Sequence, residues 1–180
     1  MAGTMPASGY GIFISYRRDD SAYPAGWLFD LLAGRFGRDR VFKDVDSLQP
    51  GDDFAGEITA AVGACAVLPA VIGKSWLTRA REDGRRRLDE PGDLVRLEIE
   101  AALARGIRVI PVLVDGAPMP GPGQLPASLA KLAGRQAVEL SPAHFSSDAR
   151  RLLMTLEKTL TQVPGSPPRP PPAPLPHPAA

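Results

Sequence analysis

The sequence predicts a single α/β domain, in which a parallel sheet of five strands is covered by helices on both faces. Short apolar runs alternate with amphipathic stretches along the 180 residues, and this alternation is typical of strand–helix–strand units. The longest runs, ACAVLPAVI and IRVIPVLV, are almost wholly apolar, as expected of strands buried between two layers of helices. Hydrophobic residues make up 44% of the chain, so a substantial core is expected.

The first part of the chain predicts two strands and one helix. YGIFISY (Tyr10–Tyr16) is rich in aromatic and β-branched residues and predicts the first strand. AGWLFDLLAGRF (Ala25–Phe36) places its large apolar side chains on one side of a helix, which Gly37 is suited to end. RVFK (Arg40–Lys43) predicts a second, short strand.

The middle of the chain predicts a helix, a buried strand and a charged loop. Asp52 or Asp53 can cap a helix that runs to about Gly63. The apolar run Ala64–Ile72 then predicts the third strand. Residues 78–92 (TRAREDGRRRLDEPG) are densely charged, and we expect them to form a solvated, mobile loop.

The last part of the chain completes the alternation. Asp93–Arg105 predicts a helix with Gly106 as its C-terminal cap, followed by a fourth strand at Ile107–Val114. Gln136–Leu140 predicts the fifth strand and Ser146–Thr161 the final helix. Five parallel strands with helices on both faces indicate a flavodoxin-like fold, whose working site lies at the carboxyl ends of the strands.

The two ends of the chain lack the pattern of a packed domain. We expect residues 1–9 to be disordered and residues 10–161 to form the domain. Residues 162–180 are dominated by proline and predict an extended linker or tail of polyproline II type. PRPPPAPLP within this tail also fits a PxxP docking ligand.

Composition argues against several classes of function. The net charge is +1 and no basic stripe carries interleaved aromatic residues, so we expect no nucleic-acid partner. No apolar run is long enough to span a bilayer, so we expect no membrane contact by this segment. Cys65 is the only cysteine, which excludes an internal disulfide and fits a reducing, cytoplasmic location. With only His144 and His177 besides, we expect no metal site and no cofactor.

One acidic residue breaks the amphipathic pattern of the helix at Asp93–Arg105. Arg96 and Glu100 lie one turn apart on its polar side and can form a solvated pair. Glu98 instead falls within the apolar arc, near Leu94. Burying an unpaired carboxylate is costly, so Glu98 either reaches solvent or an arginine at the edge of the arc, or faces a cleft.

A polar loop follows the first strand at the predicted working edge of the sheet. In SYRRDD (Ser15–Asp20), Arg17 and Arg18 have the chemistry to hold a phosphate bidentately. The alternative is a solvated loop with local arginine–aspartate pairs. Trp76 follows the third strand, and is either a core residue or a stacking platform at the same edge.

A second polar loop, DVDSLQPGDDF (Asp44–Phe54), follows the second strand. Pro50 and Gly51 mark a turn, and the N-terminus of the helix behind it favours anions. The loop holds more polar groups than a short connection needs, although a plain connection is the alternative.

Taken together, three segments resemble a TIR (Toll/interleukin-1 receptor) domain of the bacterial kind. They are, in order, GIFISYRRDD, VFKDVDSLQPGDDF, which corresponds to the BB loop of that family, and VRLEIEAALARGIRVIPVLV. The same segments resemble those of TIR domains that cleave NAD+. The resemblance covers roughly residues 10–160.

The resemblance also implies which residues bind and cleave the substrate. The glutamate of the family's W-x-x-x-E motif corresponds to Glu98, whereas Leu94 stands where the motif has tryptophan. Trp76 is a candidate replacement for that aromatic surface. The resemblance implies a substrate-binding set of Tyr16, Arg17, Arg18, Ser47, Gln49, Pro50, Gly51, Trp76 and Leu94. An amide, Gln49, stands near a position where active relatives often have an acid.

The function implied by this resemblance is cleavage of the nicotinamide–ribose bond of NAD+, with NAD+ as substrate and Glu98 as the catalytic carboxylate. The products would be nicotinamide and ADP-ribose or a cyclic isomer. Self-association with other TIR domains through the BB loop would complete the site, in bacterial defence or signalling. The alternative is a non-catalytic adaptor that acts by TIR–TIR association. A nucleoside deoxyribosyltransferase of similar topology is a third possibility, against which the BB loop argues.

Overall fold

The computed structural model describes residues 11–43 and 53–162. The described residues form five strands, β1 (Gly11–Ile14), β2 (Val41–Lys43), β3 (Cys65–Ile72), β4 (Arg108–Val114) and β5 (Val138–Leu140). They also form five α-helices, α1 (Arg18–Phe36), α2 (Phe54–Gly63), α3 (Leu94–Ala104), α4 (Ala130–Ala133) and α5 (Phe145–Thr161). The disordered N-terminus predicted for residues 1–9, the proline-rich tail from residue 163 onward and most of the BB loop lie outside the described residues.

The five strands form one parallel sheet in the order β2-β1-β3-β4-β5. This is the flavodoxin-like order, so the predicted fold class is confirmed. The chain leaves β1 toward one edge of the sheet and β3 toward the other. The crevice between the carboxyl ends of these two neighbours is therefore the topological switch point, where open α/β sheets bind ligands.

Alternate side chains of β1 show how the sheet is covered. Ile12 and Ile14 pack on one face, in a buried cluster with Leu28 of α1 and Leu152 of α5. Phe13 points to the opposite face, where α2 and α3 supply the buried side chains. Because both faces of the strand are buried, its sequence is continuously apolar rather than alternating.

Helix α1 begins earlier than the sequence predicts, at Arg18 rather than Ala25. Pro24 lies inside this helix, where a proline normally disrupts the backbone hydrogen bonds. In the structure a first short turn ends at Ser21, whose backbone is not helical, and the helix then restarts. Pro24 sits near the start of this second part, where its missing N–H matters little.

Helix α3 forms almost as predicted. Asp93 is its N-cap, with its side chain accepting a 3.1 Å hydrogen bond from Arg96 N, and Gly106 adopts a positive φ of 68° just after the helix end. Arg96 and Glu100 form the expected pair, with 2.6 Å between Nε and Oε1. Among the described residues, no helix is both long and apolar enough to cross a membrane.

Residues 78–92, hereafter the arginine segment, have more structure than the predicted mobile loop. Ala80 and Arg86 form an antiparallel bridge across a turn that contains Gly84, whose φ is 80°. The single large apolar residue of the segment, Leu88, is fully buried in the core. One buried leucine anchors the segment to the domain, and periodicity gives no sign of such an isolated anchor.

Candidate functional site

A cavity of about 430 Å³ opens at the switch point of the sheet. Three stretches of chain line it: the residues that follow β1, the arginine segment, and the start of α3 with its N-cap. The lining residues are Tyr16, Arg17, Arg18, Arg81, Arg87, Glu90, Gly92, Asp93, Leu94, Val95 and Glu98. The structure therefore brings Tyr16, Arg17, Arg18, Leu94 and Glu98 together, as the sequence predicts. The predicted BB-loop residues Ser47, Gln49, Pro50 and Gly51 lie outside the described residues.

Glu98 is a buried carboxylate in this cavity. It is 7% exposed and lies on the same side of α3 as the buried Val95, Ile99 and Ala102, as the helical spacing predicts. Its Oε2 accepts a 2.6 Å hydrogen bond from the Ser15 hydroxyl. A hydrogen bond of this kind fixes the carboxylate and offsets part of the cost of removing it from water.

Ser15 is itself held rigidly by the sheet. Its N–H donates to Pro69 O at 2.9 Å, and its carbonyl accepts from Val71 N at 2.8 Å. The residue is thereby an extension of β1 along β3. Because the donor to Glu98 stands on sheet backbone, the position of the carboxylate is determined by the core of the domain rather than by a loop.

Arg17 occupies a different position from the one expected of a phosphate-binding residue. Its side chain is 3% exposed, and its two terminal nitrogens donate to the two carboxylate oxygens of Asp93 at 2.9 Å each. Nε is buried without a hydrogen-bond partner among the described residues. This long-range pair differs from the local arginine–aspartate pair that was the alternative, and it leaves neither terminal nitrogen of the guanidinium available to a phosphate. It ties the end of β1 to the N-cap of α3.

Leu94 lies at the rim of the cavity. It is 45% exposed, whereas the helical spacing suggested a position within the apolar arc. As the first residue of α3, it precedes the turns that pack on the sheet. Its side chain therefore offers an apolar surface to the cavity mouth, at the position where the W-x-x-x-E motif has tryptophan.

Trp76 does not line the cavity. It is 1% exposed and belongs to the hydrophobic core, so the core reading of this residue is correct and it offers no stacking surface at this site. The backbone N–H of Trp76 donates to Gly73 O at 3.2 Å, in a turn that follows β3. Asp20 holds the same turn by accepting from Gly73 N and Ser75 N at 2.9 and 2.7 Å. The clamped turn directs Trp76 inward.

The arginine segment forms one wall of the cavity. Arg81 pairs with Glu90 at 2.8 Å, and Arg87 pairs with Asp19 at 3.0 Å. A larger and more open groove of about 910 Å³ lies beyond this wall, and both arginines line it as well. We place the site in the smaller cavity because that is where the buried carboxylate is.

Sequence reasoning did not single out four residues that shape this site. Ser15 and Asp93 are recognisable in retrospect, since Ser15 ends the first strand at the working edge and Asp93 directly precedes a helical pattern. Arg81 and Arg87 are part of a charge run, and nothing in the run distinguishes them from its other arginines.

The described residues offer little material for other chemistry. Burial raises the pKa of the Cys65 thiol to about 12, so this cysteine is not a nucleophile at neutral pH. Among the residues described, no group of three or more histidine, cysteine, aspartate or glutamate side chains is arranged to hold a metal ion. The polar groups that line the cavity are carboxylates, guanidinium groups and the Tyr16 phenol.

Comparison with known proteins identifies the family. A family model described as TIR domain matches residues 12–154. The TIR domains of the activated Roq1 resistosome, which directly recognises the pathogen effector XopQ, share 17% identity with a TM-score of 0.58, over 82% of this chain and 99% of that one. The TIR domain of the Toll-related receptor TRR-2 from Hydra magnipapillata shares 15% identity with a TM-score of 0.55, over 82% and 98%.

These two likenesses support the fold alone, because both identities are low. No curated protein matches the chain. The family model, by contrast, spans most of the sequence and includes every described lining residue of the cavity. The chain belongs to the TIR domain family.

Proposed function

We propose that this TIR domain is an NAD+ glycohydrolase that cleaves the bond between nicotinamide and ribose, with Glu98 as its catalytic carboxylate. The observation that carries the proposal is a carboxylate that is 7% exposed, lines a cavity at the switch point and is held by Ser15. A domain that acted only by association would gain nothing from a carboxylate buried there, since burial costs free energy.

The proposed reaction needs stabilisation of positive charge rather than a general acid. When the C1′–N1 bond breaks, its electron pair goes to the pyridinium nitrogen and nicotinamide leaves as a neutral molecule. The ribose carries the developing positive charge, which a nearby carboxylate stabilises electrostatically or captures as a nucleophile. Water then adds at C1′ and loses a proton to give ADP-ribose. Capture by a nitrogen of the substrate's own adenine would give a cyclic isomer.

The cavity favours this chemistry in two ways. Glu98 is buried on the same side of α3 as the apolar Val95, Ile99 and Ala102, and a poorly solvated carboxylate interacts more strongly with a cation. Leu94 at the rim gives the nicotinamide an apolar surface. Tyr16 and Arg18 line the same cavity and are proposed substrate contacts.

We further propose that the domain acts in the cytoplasm as a homo-oligomer, in which the BB loop of one copy completes the site of another. Ser47, Gln49, Pro50 and Gly51 would be the contributing residues. We propose that this association activates the domain, in defence or signalling. A concentrated or clustered sample is therefore the appropriate one for measuring activity.

The test is to follow nicotinamide release from NAD+ by chromatography, using concentrated and artificially clustered protein. Glu98→Gln removes the charge but keeps the size of the side chain, and we expect it to lower release by at least about 1,000-fold. Glu100→Gln is the matched control, because Glu100 lies on the same helix but pairs with Arg96 away from the cavity. We expect this control to retain near wild-type release.

Two outcomes would contradict the proposal. Equal release from wild type and Glu98→Gln would show that Glu98 is not catalytic. No release from wild type, even when clustered, would favour the non-catalytic adaptor function.

A further inference from the structure

Four arginines line the cavity that holds Glu98, but they differ in their availability to a ligand. Arg17 is committed to Asp93 through both terminal nitrogens and is almost completely buried. Releasing it would leave two buried charges unpaired, which typically costs several kcal/mol. Arg17 therefore acts on the substrate only through the position of α3.

Arg81 and Arg87 of the arginine segment are in the opposite situation. Their side chains are 59% and 39% exposed, so the guanidinium side of each pair, with Glu90 and with Asp19, reaches water. Solvated ion pairs contribute little to stability and are readily exchanged for a better partner. A phosphate is such a partner, because guanidinium groups bind its oxygens bidentately with two charge-assisted hydrogen bonds.

The position of these two arginines is as informative as their exposure. Arg81 and Arg87 line both the cavity of Glu98 and the larger groove of about 910 Å³. They thus form the boundary between the two spaces. A molecule that places one end at Glu98 and the other in the groove can therefore contact both arginines.

The groove itself has a polar lining of mixed charge. Its cations are Arg79, Arg81 and Arg87, and its acids are Asp19, Glu82 and Asp83. Hydroxyl groups, amines and ring nitrogens find hydrogen-bond partners on such a surface, whereas an extended apolar group does not. The groove therefore suits a nucleoside better than a lipid or an apolar peptide.

We propose that Arg81 and Arg87 bind the pyrophosphate of a dinucleotide whose ribose reaches Glu98, and that its second nucleoside lies in the larger groove. This inference rests on the proposed function for the identity of the reacting end. It transfers the phosphate-binding role from Arg17 to the arginine segment, and it makes a phosphate-linked dinucleotide the preferred substrate class over a simple nucleoside.

The kinetic test compares NAD+ with nicotinamide riboside, which has the same scissile bond but no phosphate. In clustered protein, we expect Arg81→Gln with Arg87→Gln to raise KM for NAD+ by at least about 10-fold with little change in kcat. Cleavage of nicotinamide riboside should change less than twofold. Arg85→Gln is the matched control, since Arg85 belongs to the same segment, is 73% exposed and lines neither space.

A binding test keeps the inference independent of turnover. ADP-ribose contains the pyrophosphate and the second nucleoside but no bond to cleave, and its affinity is measured by calorimetry on the same clustered protein. We expect the double substitution to weaken binding by at least about 10-fold, and Arg85→Gln to leave it near wild type.

The outcomes separate this inference from the proposed function. Equal affinity of wild type and the double variant for ADP-ribose, or no binding of ADP-ribose by wild type, would overturn the inference. An equal loss of activity toward nicotinamide riboside would also overturn it, because that loss would not involve phosphate. Arginine-dependent binding without nicotinamide release would support the phosphate site and refute the hydrolase.

Discussion

Ser15 Oγ lies 2.6 Å from Glu98 Oε2, in a hydrogen bond that joins the end of β1 to α3. The two residues are 83 positions apart in the sequence, and both are buried. The donor is fixed by two backbone hydrogen bonds to β3, so the bond transmits the rigidity of the sheet to one carboxylate. Ser15 is thus a positioning residue for the proposed reaction.

Ser15→Ala should lower kcat for NAD+ by about 10- to 100-fold while changing KM by less than about threefold, because a carboxylate that is loosened by a fraction of an ångström still leaves the binding contacts intact. Ser128→Ala is the matched control, since Ser128 donates to Glu100 on the same helix but outside the cavity. Steady-state kinetics on clustered protein measure both. Similar losses in the two variants would indicate a general effect on α3.

The Arg17–Asp93 pair should show strong energetic coupling. We expect Arg17→Met or Asp93→Asn alone to lower the free energy of unfolding by about 3 kcal/mol or more, because each leaves a buried charge unpaired. The double variant should be less destabilised than the sum of the single variants by about 2 kcal/mol. Urea unfolding followed by tryptophan fluorescence measures the four proteins of this double-mutant cycle. Additive effects would mean that the pair is not coupled.

An exposed ion pair provides the reference for that cycle. Arg85 and Asp83 are 2.8 Å apart in the arginine segment, with side chains 73% and 46% exposed. Arg85→Met should change the free energy of unfolding by less than about 0.5 kcal/mol, since water screens the pair.

Leu94→Trp tests whether the apolar rim binds the substrate. An aromatic ring at this half-exposed position would stack on nicotinamide, and we expect KM for NAD+ to fall by about 10-fold, in line with the usual gain from base stacking. Met154→Trp places the same ring on α5 at another exposed position and should leave KM unchanged. An unchanged KM in Leu94→Trp would argue against a substrate contact at the rim.

Two glycine substitutions should have opposite effects on stability. A Cβ at Gly73 would lie 2.5 to 2.8 Å from the Asp20 carboxylate, which cannot move without losing its bonds to Gly73 N and Ser75 N. Gly73→Ala should therefore lower the free energy of unfolding by about 1–3 kcal/mol. Gly34 in α1 has no atom within 4 Å of such a Cβ, so Gly34→Ala should raise stability by about 0.5–1 kcal/mol. Chemical unfolding of both variants gives the sign of each change in the free energy of unfolding.

Local patterns were sufficient to predict the sheet and the position of Glu98. Strand–helix alternation gave all five strands to within a few residues, and helical spacing placed Glu98 within the apolar arc of α3, where it is buried as Val95 and Ala102 are. These features depend on neighbours in the sequence. They are therefore visible in a single sequence without knowledge of the tertiary contacts.

The parts that were mispredicted depend on contacts between distant residues. Arg17 has the side-chain chemistry of a phosphate-binding residue, but its partner is Asp93, which is 76 positions away. The arginine segment has the composition of a loose loop, but the burial of Leu88 anchors it. Trp76, for which the sequence left a core and a stacking position open, follows a turn that Asp20 holds and lies in the core. Periodicity carries no information about such pairings.

The anchoring of Glu98 to β1 and α3 separates two properties of the domain. The proposed catalytic carboxylate is held by the sheet and by one helix, whereas the arginines proposed to bind the substrate lie on the segment between β3 and α3. Exchanging that segment for one of another length or charge would leave the Glu98 carboxylate in place. Under the proposed function, substrate selectivity would therefore be open to change by transplanting one short segment, whereas the catalytic carboxylate would stay with the sheet.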